Sequence, residues 1–161
     1  MRKITSLLVV LFSLLPLWQT LAQEGNTCSD PIEIASLPYN TIDDTDNYTN
    51  EYSGPPGTGC GTASQYLSGN EAIYAYTATY TGELALTMNP EDTYAAFFVY
   101  NSCSDIGVVC ASDGYAVNGN SSSPLDIMIS IESGETYYIV VSMWADDDVD
   151  SFAYTLDVEE V

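Results

Sequence analysis

Beyond residue 22 the chain contains no lysine, no arginine and no histidine; its two bases are Arg2 and Lys3, and histidine is absent throughout. Without histidine or lysine there is no Ser-His-Asp triad, no Cys-His pair, no Ser-Lys dyad and no Schiff base. Histidine-bearing zinc and haem sites are excluded in the same way. Nucleic acids and anionic lipid surfaces are held by clustered cations, so partners of both kinds are excluded too. Paired carboxylates remain as an acid/base engine, as in glycoside hydrolysis. With 23 Asp and Glu in so short a chain, however, two acids will neighbour each other by chance. An enzyme is therefore not expected, because carboxylate catalysis needs environments that split the two pKa values. No stretch carries a helical apolar stripe, and after the N-terminus no run is long and apolar enough to span a bilayer.

The N-terminus reads as an address. Arg2 and Lys3 precede an apolar run from Ile4 through Leu17, and Thr20-Leu21-Ala22 offers a small residue for cleavage, the pattern of a secretory signal peptide over residues 1–22. A membrane anchor fits less well, since the run is short and is broken by Pro16. No cysteine lies close enough behind the cleavage point for lipid attachment. The expected product, residues 23–161, is one domain, secreted or held at the cell surface, without membrane insertion. Its 23 acids face no side-chain base, so self-repulsion should be relieved by salt or by bound cations, Ca²⁺ among them.

Four cysteines lie in this region: Cys28, Cys60, Cys103 and Cys110. An even count in a secreted chain predicts two disulfides, with three pairings open. Spacing favours Cys103–Cys110 around a short acidic loop, which leaves Cys28–Cys60. A metal site lacks both C-x-x-C spacing and histidine.

Period-two alternation is the main fold signal. It runs through Ile73, Tyr74 and Tyr76; Leu84, Leu86 and Met88; Leu125, Ile127, Ile129 and Ile131; Tyr137, Ile139, Val141 and Met143; and Phe152, Tyr154, Leu156 and Val158. Phe97-Phe98-Val99-Tyr100 is apolar on both faces. Thr81-Gly82, Asn89-Pro90, Asp113-Gly114 and Ser133-Gly134 punctuate these runs. The segment from Asn40 to Gly69, rich in Asp, Asn, Thr, Gly and Pro, reads as an extended loop clipped at Cys60. The pattern predicts an all-β fold, an antiparallel β-sandwich of jelly-roll type with two disulfides and no internal duplication.

The stretches GNEAIYAYTATYTGELALTM, FFVYNSC, SGETYYIVVS and FAYTLDV, with the opening GNTCSDPIEIASLPYN and the later CGTASQYLSGNE, resemble the bacterial pre-peptidase C-terminal (PPC-like) β-sandwich domain. The opening and the CGTASQYLSGNE segment resemble the form common in secreted and cell-surface proteins of Bacteroidetes-like bacteria, and the resemblance covers most of residues 25 to 160. The resemblance implies a non-catalytic accessory module, of a kind whose relatives accompany hydrolases or adhesins, bind fibres or glycans, or carry Ca²⁺. It carries no catalytic residue onto this sequence. With no catalytic domain before it and no sorting domain after it, the module is expected to act alone or within a larger assembly.

Three constellations are candidates for function. Asp146, Asp147, Asp148 and Asp150, on the connection between the last two strands, could supply oxygen ligands to Ca²⁺; the alternative is a solvated turn that guards an edge. Asp43, Asp44 and Asp46 form a partial D-x-D run, but counting from Asp44 the fifth and sixth positions are Tyr48 and Thr49, which rules out an EF-hand loop. With Glu51 or Glu71 the run could form another cation site or an ordinary Asx turn. The third is aromatic. Most of the 13 tyrosines, including Tyr74, Tyr76, Tyr137 and Tyr154, sit where a sandwich core needs filling. Tyr48, Tyr52, Tyr66 and Tyr115 fall in polar or Gly-rich segments and are expected to be exposed, while Trp144 falls on the face opposite Met143. Such rings stack on sugars while carboxylates accept hydroxyl hydrogen bonds. A secreted, non-catalytic module for a glycan or protein, with Ca²⁺ as its one candidate cofactor, is the reading these residues favour. The alternatives are a self-assembling subunit of a surface layer, matrix or filament, and a carboxylate hydrolase.

Overall fold

A computed structural model describes residues 23–145 and 149–161, and these form a two-sheet β-sandwich. The strands are β1 (Ile32–Glu33), β2 (Tyr39–Asp44), β3 (Ala72–Thr77), β4 (Gly82–Pro90), β5 (Ala95–Tyr100), β6 (Tyr115–Val117), β7 (Leu125–Ile131), β8 (Thr136–Met143) and β9 (Ala153–Glu160). One sheet has the order β1-β3-β8-β5-β6 and the other β2-β9-β4-β7. From β2 onward this is a jelly-roll order, two interleaved Greek keys in which the chain crosses repeatedly between sheets. The added β1 runs parallel to β3, pairing Ile32 with Tyr74, so the sandwich is antiparallel except at this one edge.

Alternation translates directly into the core. Leu84, Leu86 and Met88 of β4, Ile129 and Ile131 of β7, and Leu156 and Val158 of β9 point inward from one sheet. They meet Tyr74, Phe97, Val99, Ile139 and Val141 from the other. The outward side chains of β4 and β9 are polar apart from Ala85 and Ala153, as period two requires.

The five-stranded sheet departs from that rule, because its outer face is also covered. Ile73, Ala96, Phe98, Tyr100 and Val140 pack beneath Tyr66, Leu67, Ile106, Cys60 and Cys110, which come from the irregular segments between strands. All six residues of β5 are therefore buried, which explains its unbroken AAFFVY. The segment expected to be loop from Asn40 contains strand β2 and the short 3-10 turn Thr45–Asn47 before it crosses to this outer layer.

The disulfides staple that layer, and they correct the expected pairing: Cys28 bonds Cys103 and Cys60 bonds Cys110. The spacing argument for Cys28–Cys60 and Cys103–Cys110 fails because loop-closure entropy grows only slowly with length, so packing decides. Thr58 forms a parallel bridge with Val109, the Thr58 amide donates to Val108 O at 2.8 Å, and the Cys110 amide donates to Thr58 O at 3.0 Å. Cys110 is thereby laid beside Cys60. Gly57 permits this approach: it has φ +112°, and a Cβ there would stand 2.4 Å from the Val108 carbonyl carbon.

Candidate binding surface

Strand β8 ends on two residues with opposite fates. Met143 enters the core at 2% exposure, and Trp144, one residue on, is 45% exposed. The indole is nevertheless held. Tyr94 meets it edge-on, with centroids 5.3 Å apart and planes at 89°, and Tyr66 lies against it at 6.4 Å. The backbone is tied as well, with the Trp144 amide donating to Tyr94 O at 3.0 Å and the Tyr94 amide to Gly119 O at 2.5 Å.

Tyr94 has φ +57°, a left-handed conformation that bulky side chains rarely adopt. Such strain persists where surrounding contacts over-determine it, and it concentrates at functional positions. Around it Asp92 Oδ1 accepts from the Thr93 amide at 2.7 Å, and Asn118 Nδ2 donates to Asp92 O at 3.0 Å. Asp92, Thr93, Tyr94, Met143, Trp144 and Val149 enclose a shallow hollow of about 90 Å³. A half-exposed indole beside a carboxylate and backbone oxygens can stack on the C–H face of a sugar and accept its hydroxyl protons. Tyr94 escaped the sequence reading because it sits in a short polar turn that matches neither strand periodicity nor a Gly-rich loop.

The other aromatic candidates disperse. Tyr48 is 9% exposed and Tyr66 5%, so neither is the free ring expected of its polar surroundings. Tyr66 packs on Phe98 and backs Trp144. Tyr48 turns inward because its hydroxyl donates to Asp43 Oδ2 at 2.6 Å. Tyr52 is half-buried against the outer layer, and burial raises its hydroxyl pKa. Tyr115 is 37% exposed, its ring lying over Gly61, where a Cβ would meet Tyr115 Cε2.

Asp43 is the hub of a polar cluster within the sandwich. Its Oδ2 also accepts from the Tyr74 hydroxyl at 2.9 Å, and the Tyr74 and Tyr154 hydroxyls lie 2.6 Å apart. Burial, with the Asp43 charge adding to it, raises the pKa of Tyr74 and Tyr154; the contact between the two hydroxyls raises Tyr154 further and pulls Tyr74 down. Its Oδ1 takes the Asp44 amide and Asn47 Nδ2, while Asp44 caps the following turn through the Asp46 amide. Asp43, Asp44, Asp46 and Glu51 are thus not gathered around one point, and among the described residues no group of three or more Asp, Glu, Cys or His side chains could hold a metal ion. Asp146, Asp147 and Asp148 lie outside the described residues. Asp150 is exposed, and its backbone oxygen accepts the Asn70 amide at 2.8 Å.

Glu71 is the second buried acid. It has no exposure; its Oε2 accepts the Glu51 amide at 2.8 Å and the Tyr52 amide at 3.4 Å, while Oε1 has no partner among the described residues. Burial pushes its pKa up to about 8, against which the two amides pull down and the Glu51 charge adds. A raised carboxyl is what a general acid needs, but one closed off from solvent reaches no substrate.

No protein-family model matches the sequence, and no curated protein is significantly similar to it. Similar solved structures include the pre-peptidase C-terminal domain of a collagenase from Bacillus anthracis, 14% identical, covering 80% of this chain and 94% of that one with a TM-score of 0.46. A periplasmic inhibitor of g-type lysozyme from Aeromonas hydrophila is 10% identical over 80% and 94% of the two chains, TM-score 0.42. A CBM36 domain of a xylanase from the hindgut metagenome of Trinervitermes trinervoides is 14% identical over 76% and 98%, TM-score 0.39. A pre-peptidase C-terminal domain, the type whose motifs the sequence resembles, is thus among the solved structures similar to this chain.

Proposed function

We propose that residues 23–161 are a secreted, non-catalytic binding module that takes an extracellular glycan or protein at the Trp144 surface. The observation that carries the reading is a large apolar ring, half in solvent, whose orientation is fixed by Tyr94 and Tyr66. Rings at protein surfaces that are both exposed and immobilised lose little entropy on binding. The hollow is shallow, which suits one sugar face or one side chain rather than an enclosed small molecule. Both pairs of cysteines are disulfide-bonded, which fits an oxidising, extracellular location.

A glycan array probed with the wild-type domain and with Trp144→Ala tests the reading. Retention on a defined glycan class that falls at least tenfold in Trp144→Ala, with unchanged melting temperature, is expected. Retention indifferent to the substitution would place binding elsewhere. Calcium belongs to the same proposal as a counter-ion for Asp146, Asp147, Asp148 and Asp150. Millimolar CaCl₂ should raise the melting temperature more than NaCl of equal ionic strength, and Asp146→Asn with Asp148→Asn should remove the difference.

A further inference from the structure

The four sheet edges are not equally protected. Strand β1 has two residues and β6 has three, too short to template another chain. At the β7 edge, β6 packs across the strand, and the Glu132 amide just beyond its end donates to the Tyr137 hydroxyl at 2.9 Å. Strand β2 is six residues long, ends its sheet, and pairs only with β9.

The register says which β2 groups are unused. Asp44 pairs with Ala153, and one step further the Thr45 amide donates to Phe152 O at 3.0 Å. Hydrogen-bonded pairs alternate along an antiparallel ladder, so Thr45, Asp43, Thr41 and Tyr39 face β9, whereas Asp44, Ile42 and Asn40 direct their amides and carbonyls away from the sheet. The Asp44 amide is taken by Asp43 Oδ1 at 2.8 Å. The amides and carbonyls of Asn40 and Ile42 have no partner among the described residues. Beside them Ile42 is 80% exposed, the most exposed of the large apolar side chains described. Of the devices that blunt natural edges, β2 has no lysine, proline or bulge; what it carries is acid, Asp43 pointing inward and Asp44 at its end, which repels an acidic strand and not a basic one.

We infer that β2 is a strand-addition site whose occupant is an extended segment of another protein bearing Lys or Arg. The new strand would take the amides and carbonyls of Asn40 and Ile42 and cover the Ile42 side chain, the mode in which backbone bonds supply affinity and alternate side chains supply specificity. Charge selects the occupant. Asp44 and Asp46 flank the edge, Asp157 lies behind Asn40, and residues 23–161 contain no basic side chain. A second copy of this chain would set like charges against each other, whereas a basic strand meets opposite ones. This edge is separate from the Trp144 surface, which belongs to the other sheet.

The probe is a synthetic hexapeptide alternating Lys and Val, with a control of identical charge whose alternate amides are N-methylated. On ¹⁵N-labelled domain in low salt, the unmodified peptide should slow hydrogen exchange at Asn40 and Ile42 at least tenfold, and the control should not. In Ile42→Pro, which removes an amide that β9 does not use, affinity for the unmodified peptide should fall at least tenfold. Equal binding of both peptides, protection centred on other residues, or no binding at all overturns the inference. So does protection of Asn40 and Ile42 by dimerisation of the domain alone in ultracentrifugation, which would make a second copy the occupant. The exchange measurement uses the wild-type domain, so the test stands if Ile42→Pro fails to fold.

Discussion

Stability should fall as pH rises through neutrality, and one residue should be responsible. Glu71 has a pKa of about 8 in the folded chain against an ordinary 4.5. Below about pH 4.5 both folded and unfolded chains hold the proton, and the contribution is fully present. Above it the unfolded chain releases the proton first, so stability declines by about 1.4 kcal/mol per pH unit until the folded carboxyl also ionises. Over the interval from 4.5 to about 8 this amounts to on the order of 5 kcal/mol, an upper bound because local opening of residues 49–53 would hydrate the charge first. At roughly 3 °C per kcal/mol the melting temperature would drop by about 10 °C or more. The groups facing Glu71 are the Glu51 carboxylate, whose charge disfavours ionisation, the Glu51 and Tyr52 amides, which favour it, and the hydroxyls of Tyr52 and Tyr100. Residues 23–161 contain no histidine or lysine, and all four cysteines are disulfide-bonded, so few other groups can mimic the effect between pH 6 and 9. Thermal and urea melts of wild type and Glu71→Gln from pH 5 to 9 test this. Gln keeps an acceptor for the two amides and never ionises, so its profile should be flat and should cross above wild type by pH 9. Parallel profiles for the two proteins would refute the reasoning.

Other expectations are more local. Asp43→Ala removes the acceptor for Tyr48, Tyr74, Asn47 and the Asp44 amide, and should cost about 3 kcal/mol in urea melts, since buried donors are left unpaired. Cys60→Ser with Cys110→Ser opens a loop of sequence separation 50 and should cost about 4 kcal/mol by loop entropy. A non-reducing peptide map should show Cys28 with Cys103 and Cys60 with Cys110. Gly57→Ala should destabilise by about 2 kcal/mol or more, because the Cβ strikes the Val108 backbone and the φ of +112° is strained for alanine. Gly119→Ala, whose Cβ would meet nothing within 4 Å, should cost less. Mass spectrometry of the exported protein should find Gln23 at its N-terminus.

The sandwich was legible because its strands alternate. Leu84-x-Leu86-x-Met88 and Leu125-x-Ile127-x-Ile129-x-Ile131 report one buried face each, and β4 and β7 follow directly. Strand β2 was not legible: YNTIDD places its one aliphatic residue, Ile42, toward solvent, and its inward positions are Tyr39, Thr41 and Asp43. Beyond the neighbouring Asp44 amide and Asn47, the hydroxyls of Tyr48 and Tyr74 make an inward aspartate tolerable there, and those lie 5 and 31 residues away along the chain. The third layer was hidden for a related reason. Tyr66, Leu67 and Ile106 sit among Gly, Ser and Asp, so local composition says loop even though the sheet beneath needs cover. The same failure mispaired the cysteines and misplaced Tyr48 and Tyr66. Trp144 was placed by parity with Met143, but its partner Tyr94 comes from a turn with no periodic signal.

These particulars share one cause. A fold that buries carboxyl groups usually answers them with Arg, Lys or His, and residues 23–161 offer none. Two neutral answers remain, and the chain uses both. Asp43 is met by tyrosine hydroxyls and an amide, each giving one proton and carrying no charge; because Tyr74 has a single proton to give to Asp43, the Tyr154 hydroxyl at 2.6 Å is left to donate to the Tyr74 oxygen. Glu71 is met by two amides and retains its own proton up to about pH 8. The tyrosine hydroxyls keep their protons through the neutral range because burial raises their pKa, whereas Glu71 loses its proton above about pH 8. If charge compensation by neutral donors is what holds the interior together, Asp43→Asn should lose stability by a similar amount at pH 5 and pH 8, while the cost of ionising Glu71 appears only at the higher value. A difference in stability between wild type and Asp43→Asn that grows toward pH 8 would show instead that the two acids are coupled through the segment joining them.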